Sequence, residues 1–133
     1  MLEMSDEPLD FSSALGIPEH EFRLVLGRTK IDYDPNKNIR NIEKHTYSLE
    51  YAVRLLERLL LPIGVPRPYA RCDSFMENGE VRHQHMFVDD NGHVVLMVTT
   101  MRDDETVRVI SLRPAHEDER ARFQELTGWA SKK

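Results

Sequence analysis

Arg82, Thr99 and Arg108 are the residues whose types and spacing first suggest chemistry. They fall in three short runs rich in β-branched and apolar residues, VRHQHMFV, HVVLMVTTM and TVRVISL, which DDNG and RDDE separate. Such runs with turn residues between them predict antiparallel strands joined as hairpins, and Asn91-Gly92 favours a turn because both residues tolerate positive φ. Closing DDNG with a two- or a four-residue loop sets Thr99 opposite Gln84 or Arg82, and either closure keeps Arg82 on the face of Thr99. Closing RDDE in the same ways sets Thr99 opposite Arg108. The three side chains then make a polar row across three strands, flanked by Arg102 in the second turn. Two guanidiniums held close repel each other unless an anion lies between them, and their forked donors match a phosphate. The alternative is structural: Glu80 or Asp104 pairs with the arginines and the row holds no ligand.

Lys44 and His45 are the second candidate, at the end of PNKNIRNIEKH. A histidine near its ordinary pKa takes and gives a proton at neutral pH, and a neighbouring lysine adds positive charge. At the end of a helix the same pair would instead interact with the last carbonyls and the helix dipole. His83-Gln84-His85 raises a metal reading, since residues at i and i+2 of a strand share a face. A third ligand is hard to find, because either hairpin register puts His93 on the opposite face and the one cysteine, Cys72, lies in a different segment. No metal and no cofactor is therefore expected. The two histidines are read as partly buried side chains facing Val94, Leu96 and Val98.

These residues need a scaffold, and 133 residues suit one domain with a single core. A hydrophobic content of 40% beside 31% charged residues is that of a folded chain. Residues 1–21 hold Glu3, Asp6, Glu7, Asp10, Glu19 and Glu21 with no lysine or arginine, so the net charge of -5 resides mainly there and 18 basic residues face 17 acidic ones in the remainder. This extension is expected to be partly disordered and solubilising, with the further option that it competes with a phosphate-bearing ligand for the arginines as a tethered polyanion. The apolar run LLERLLLPIGV carries charges and a proline and cannot span a bilayer. An acidic start unlike a secretory signal, and a single cysteine, point to the cytoplasm.

Punctuation divides the rest of the chain. Part of FRLVLGRTKIDY reads as a first strand. Asp34-Pro35 starts a helix over about 35–44, because the carboxylate can cap free NH groups and proline fits the first turn. Ser48 can cap a second helix whose apolar stripe is Leu49, Ala52, Val53, Leu56 and Leu60, with Pro62 ending it. PIGVPRPYARCDS reads as a surface connection. After Arg113-Pro114, HEDERARFQELTG suggests a last helix stopped by Gly128, and Trp129 beyond it reads as a packing anchor or a partner contact. The expected architecture is α+β: a three- or four-stranded mainly antiparallel sheet, two helices after the first strand and one C-terminal helix. One domain would occupy 22–128, with a short tail over 129–133. Leu56, Leu60, Val94, Leu96, Val98, Val107 and Val109 are the expected core.

DPNKNIRNIEKHTYSLEYA resembles the pattern of the BrnT toxin family, with Asp34, Pro35, Lys37, Asn41, Lys44 and His45 at matching positions. GEVR and VRVISLRPAHEDER resemble that family's strand and terminal element, with Arg82, Arg108, Ile110, Ser111, Arg113, Ala115 and Glu119 matching in order. The resemblance implies a RelE-like fold, a ribonuclease that inhibits translation, and a BrnA-type antitoxin that neutralises it, in an oligomer of toxin with antitoxin. It also implies that Arg113 joins Arg82, Thr99, Arg102 and Arg108 in holding RNA phosphate. Cleavage through the ribose 2′-OH needs a base, an acid and cations on the phosphorane, and metal-free enzymes draw these from His, Lys, Arg or Glu. On this reading Lys44 and His45 move the protons. The chain departs from the family after its last strand, where Leu112, Pro114, His116, Glu117 and Asp118 stand in place of further basic or small residues. A second reading follows from that departure: a catalytically silent module that binds an antitoxin or a regulatory partner.

Overall fold

The computed structural model describes residues 22, 24–61, 64–102 and 104–131. The acidic extension and Pro62 lie outside the described residues. The chain order is β1 (Lys30–Tyr33), α1 (Pro35–His45), α2 (Leu49–Leu60), β2 (Ala70–Glu77), β3 (Glu80–Val88), β4 (Val94–Met101), β5 (Thr106–Pro114) and α3 (Glu117–Thr127). The strands form one sheet in the order β1-β5-β4-β3-β2. β1 runs parallel to β5 because the chain returns to the sheet through two helices, and every other pair is an antiparallel hairpin neighbour.

The helix starts obey the local chemistry. Asp34 Oδ1 accepts from the Asn36 NH at 2.8 Å with Pro35 in the first turn, and Ser48 Oγ accepts from the Tyr51 NH at 3.0 Å. Leu49, Ala52, Leu55 and Leu56 of α2 are buried against Phe87, Val95, Met97, Val107, Val109 and Leu112 on one sheet face. On the other face α3 lays Phe123 over Met86, Val88, Val94 and Leu96, with Ala115 beside it. Of the expected core, Leu56, Val94, Leu96, Val107 and Val109 are buried, while Leu60, at the helix end, and Val98 are half-buried.

α1 packs in an unusual way, with asparagine inward and isoleucine outward. Asn41 is buried, whereas Ile39 and Ile42 are exposed. β1 is short and covers only the first part of the outer edge of β5, and Asn41 closes the next part. Its amide nitrogen donates to Leu112 O at 2.8 Å and its oxygen accepts from the Leu112 NH at 3.2 Å, as a neighbouring strand would. The same nitrogen donates to Tyr47 O at 2.8 Å, which ties in the turn between the helices.

Two features differ from the sequence reading. Residues 70–77 form a fifth strand rather than part of a surface connection. The prolines are confined to positions before it, and an edge strand tolerates the charges of ARCDSFME. Its hairpin to β3 turns at Asn78-Gly79, both at positive φ (52° and 78°), the favoured two-residue hairpin turn. The second difference is register. The β3–β4 loop is closed by Asp89 N to His93 O at 2.8 Å and the β4–β5 loop by Arg102 N to Thr106 O at 2.8 Å, so both contain three residues rather than two or four. Each has a positive φ at its last position, Gly92 at 87° and Glu105 at 67°, which matches the three-residue hairpin loop ending in a left-handed residue. Asp89 holds the first loop by accepting from the NH groups of Asn91 and His93 at 2.9 Å.

Candidate functional site

A three-residue loop shifts facing positions by one, and a shift of one turns a strand's side chains to the other face. Two such shifts cancel between β3 and β5. Arg82 faces Thr100, Thr100 faces Arg108, and Arg108 faces Asp32, so both arginines keep one face with Thr100 between them. Thr99, expected in the row, lies on the opposite face, fully buried, with its hydroxyl 2.8 Å from His85 Nε2. The Thr100 hydroxyl donates to Val81 O at 2.9 Å.

Each guanidinium of the row has a carboxylate beside it. Glu80 bridges Arg82 at 3.2 Å and Arg102 at 2.9 Å, and Arg108 binds Asp32 through Nε at 2.7 Å and Nη2 at 3.2 Å. Asp32 is the foremost of the groups that raise the Arg108 pKa above its ordinary value. Glu80 thus takes the structural part foreseen for it, Asp32 takes the part at Arg108, and the sequence reading did not single out Asp32 or Thr100. The arrangement is not saturated. Arg82 is only 8% exposed, and its buried Nε has no hydrogen-bond partner among the described residues. The side chains of Asp32, Glu80, Arg102 and Arg108 retain exposures between 32 and 44%, because α3 covers the other half of this face.

A bulge in β5 brings Arg113 to the same face. Thr99 faces Val109 but Val98 faces Ser111, so Ile110 is the extra residue. Without it Arg108 and Arg113 would point to opposite sides; with it Arg108, Ser111 and Arg113 share one. Arg113 forms a two-pronged pair with Glu119 of α3 at 2.8 and 2.9 Å, and Glu119 Oε1 also accepts from the His116 NH at 2.7 Å.

Lys44 and His45 occupy the last turn of α1, where cations complement the helix dipole. They sit by Arg113 rather than by Arg82 and Arg108. Burial, then the charges of Lys44 and Arg113, hold the His45 pKa below its ordinary 6.5, so the imidazole is neutral at neutral pH. From Arg108 to Arg113 along β5 is roughly 15 Å. The sequence candidates therefore fall into two groups, Arg82, Arg102 and Arg108 near the start of β5 and Arg113 with Lys44 and the neutral His45 near its end.

His83 and His85 belong to neither group. They face Thr99 and Met97, not the valines and leucine expected, on the face opposite the arginine row. His85 hydrogen-bonds Tyr69 at 2.7 Å as well as Thr99, and His83 bonds Ser74 at 3.0 Å. Phe22 packs its ring 5.3 Å from His83 and 4.6 Å from His85. Burial and the nearby Arg71 push the His83 pKa down to about 4 and that of His85 well below 6.5. Among the described residues no three metal-capable side chains converge.

Fold and geometry together define an α+β chain whose sheet has a partly uncovered face bearing Arg82, Arg102 and Arg108 beside Asp32 and Glu80. The family described as "Ribonuclease toxin, BrnT, of type II toxin-antitoxin system" matches residues 33–119, and the chain belongs to that family. The crystal structure of the ribonuclease toxin BrnT of Brucella abortus is similar at 21% identity and a TM-score of 0.47, covering 67% of this chain and 99% of that one. No curated protein matches the chain. Membership of a type II toxin-antitoxin family implies an antitoxin partner. No helix among the described residues is long and apolar enough to cross a membrane.

Proposed function

We propose that this chain is a metal-independent endoribonuclease that inhibits translation, with the scissile phosphate held by Arg82, Arg102 and Arg108. The observation that carries this reading is the buried Arg82 guanidinium, whose Nε lacks a partner among the described residues while its neighbours line an accessible sheet face. A desolvated guanidinium beside the reacting phosphate stabilises the developing phosphorane charge more strongly than one in water. In this reading Glu80, between Arg82 and Arg102, takes the 2′-hydroxyl proton as the 2′-oxygen bonds to phosphorus, and the departing 5′-oxygen takes its proton from solvent. Lys44 and His45 of α1 lie with Arg113 near the far end of β5, where Lys44 and Arg113 bind a flanking phosphate of the same strand and the neutral His45 donates a ring N–H to it. A BrnA-type antitoxin would neutralise the toxin by covering this surface.

A second reading rests on the same ion pairs. Glu80, Asp32 and Glu119 occupy Arg82, Arg102, Arg108 and Arg113, which is the arrangement of a silent module that keeps only partner binding. Inducible expression separates the two. The active reading expects growth arrest from the native chain and none from the variant carrying both Arg82→Ala and Arg108→Ala at equal soluble level. Unimpaired growth with the native chain contradicts it and leaves the silent module.

A further inference from the structure

Phe75 stands on β2 directly opposite Arg82. Residues opposite one another on neighbouring strands share a face and lie about 5 Å apart. The facing of β2 is fixed independently by Ser74, whose hydroxyl meets His83 on the other side of the sheet. Phe75 therefore begins the row that continues through Arg82, Thr100 and Arg108 to Asp32, one residue from each of the five strands.

Neither apolar core accounts for an aromatic ring there. Phe75 is half-buried and belongs to neither apolar core, unlike Phe22, Phe87 and Phe123. Its neighbours on this face are charged, with Arg82 and Glu80 on β3 and Glu77 next along β2. Among the described residues, the rings over which arginines stack are Trp129, under Arg67, and Phe22, under Arg71, so no guanidinium occupies the Phe75 face. The register of β2 is also irregular between Cys72 and Phe75, and that irregularity helps set which side the ring takes.

We infer that the Phe75 ring is a stacking platform for a nucleobase of single-stranded RNA whose phosphate lies on Arg82 and Arg108. The inference rests on the phosphate reading above and extends it to the base. A ring beside guanidiniums on an open sheet face offers an apolar plane for the base and charge for the backbone, the combination by which sheet surfaces bind unpaired RNA. Stacking accepts every base, because each has a π-face, so this position gives affinity with little sequence preference. A helical duplex cannot present a base this way, which restricts the substrate to single-stranded segments.

The test measures binding of the full chain to a short 2′-O-methyl RNA strand, which cannot be cleaved through its own 2′-oxygen, and to the same strand with its bases removed. Phe75→Leu, which keeps an apolar side chain of similar reach, should weaken binding of the base-bearing strand at least about fivefold, and Phe75→Trp should restore it. Neither variant should change binding of the abasic strand, whereas Arg82→Ala should weaken both. Equal affinity of the native chain and Phe75→Leu for the base-bearing strand overturns the stacking role while leaving the phosphate site standing. If the native chain binds neither strand, the phosphate reading and this inference both fall.

Discussion

Arg82 and His83 are adjacent in sequence, yet they face opposite sides of the sheet and meet burial differently. Arg82 lies in a nearly closed environment beside Glu80, and its Nε has no hydrogen-bond partner among the described residues. His83 and His85 take the other course and stay neutral, since burial and Arg71 lower both pKa values. The linkage has a definite sign. Both folded values lie below the ordinary 6.5, so as pH falls the unfolded chain takes up protons first. The stability they contribute is complete above about pH 6.5 and is lost as pH falls toward 4, at up to about 1.4 kcal/mol per pH unit for each histidine. Urea unfolding between pH 7.5 and pH 5, above the range where carboxylates titrate, should show this decline. His83→Gln, which retains polar groups without a titrating ring, should flatten it. The same slope in that variant would mean that His83 is not the group protonated on unfolding.

Strand β5 shows how the elements position the site and which parts of that were legible in advance. Its outer edge is paired in two ways: β1 lies against Thr106–Val109 at the beginning of the strand, and Asn41 of α1 continues the pairing at Leu112 with one side chain. Asn41→Ala leaves the NH and the carbonyl of Leu112 and the carbonyl of Tyr47 without that partner, and should cost about 2–4 kcal/mol in urea unfolding. Asn41→Asp should cost no less at neutral pH, because a carboxylate would face two carbonyl oxygens. An aspartate variant as stable as the native chain would remove Asn41 from this role. Helix limits were readable because Asp34-Pro35 and Ser48 carry their capping chemistry in the residue itself. The common face of Arg82 and Arg108 was readable only because two errors of one residue cancelled, and the same errors misplaced Thr99. Loop length was the weak step, since DDNG and RDDE fit two, three or four residues and backbone conformation decides among them. Asn78-Gly79 did carry a hairpin signal, and attention to it would have found β2. The bulge at Ile110 has no such mark in the sequence, so the alignment of Arg113 with Arg108 came only with the structure.

At the scale of the whole molecule, the two apolar cores leave one region of sheet for function. α1 and α2 close one face and α3 closes half of the other. The remainder carries the row from Phe75 to Asp32, in which Arg82 and Thr100 are buried while Arg108 and Asp32, with Glu80 and Arg102 beside them, stay partly exposed. The match to the BrnT ribonuclease toxin family runs from the last residue of β1 through β5 and ends within α3 at residue 119. Two of the departures after the last strand have a structural use here: Glu117 and Asp118 lie in the first turn of α3, where acidic side chains favour the helix dipole, beside the matching Glu119, which pairs with Arg113. The acidic residues of α3 thus act on their own helix and on Arg113, while Arg82 and Arg108 pair with Glu80 and Asp32. The central claim is that this row supports RNA cleavage without a metal. Its most direct test is incubation of the purified chain with single-stranded RNA in excess EDTA, with products resolved by length and by end group. The account predicts cleavage that leaves 2′,3′-cyclic phosphate ends and falls at least about 100-fold when Arg82 and Arg108 are both replaced by alanine in a protein that still folds. Cleavage abolished by EDTA, or undiminished in the double variant, would contradict it.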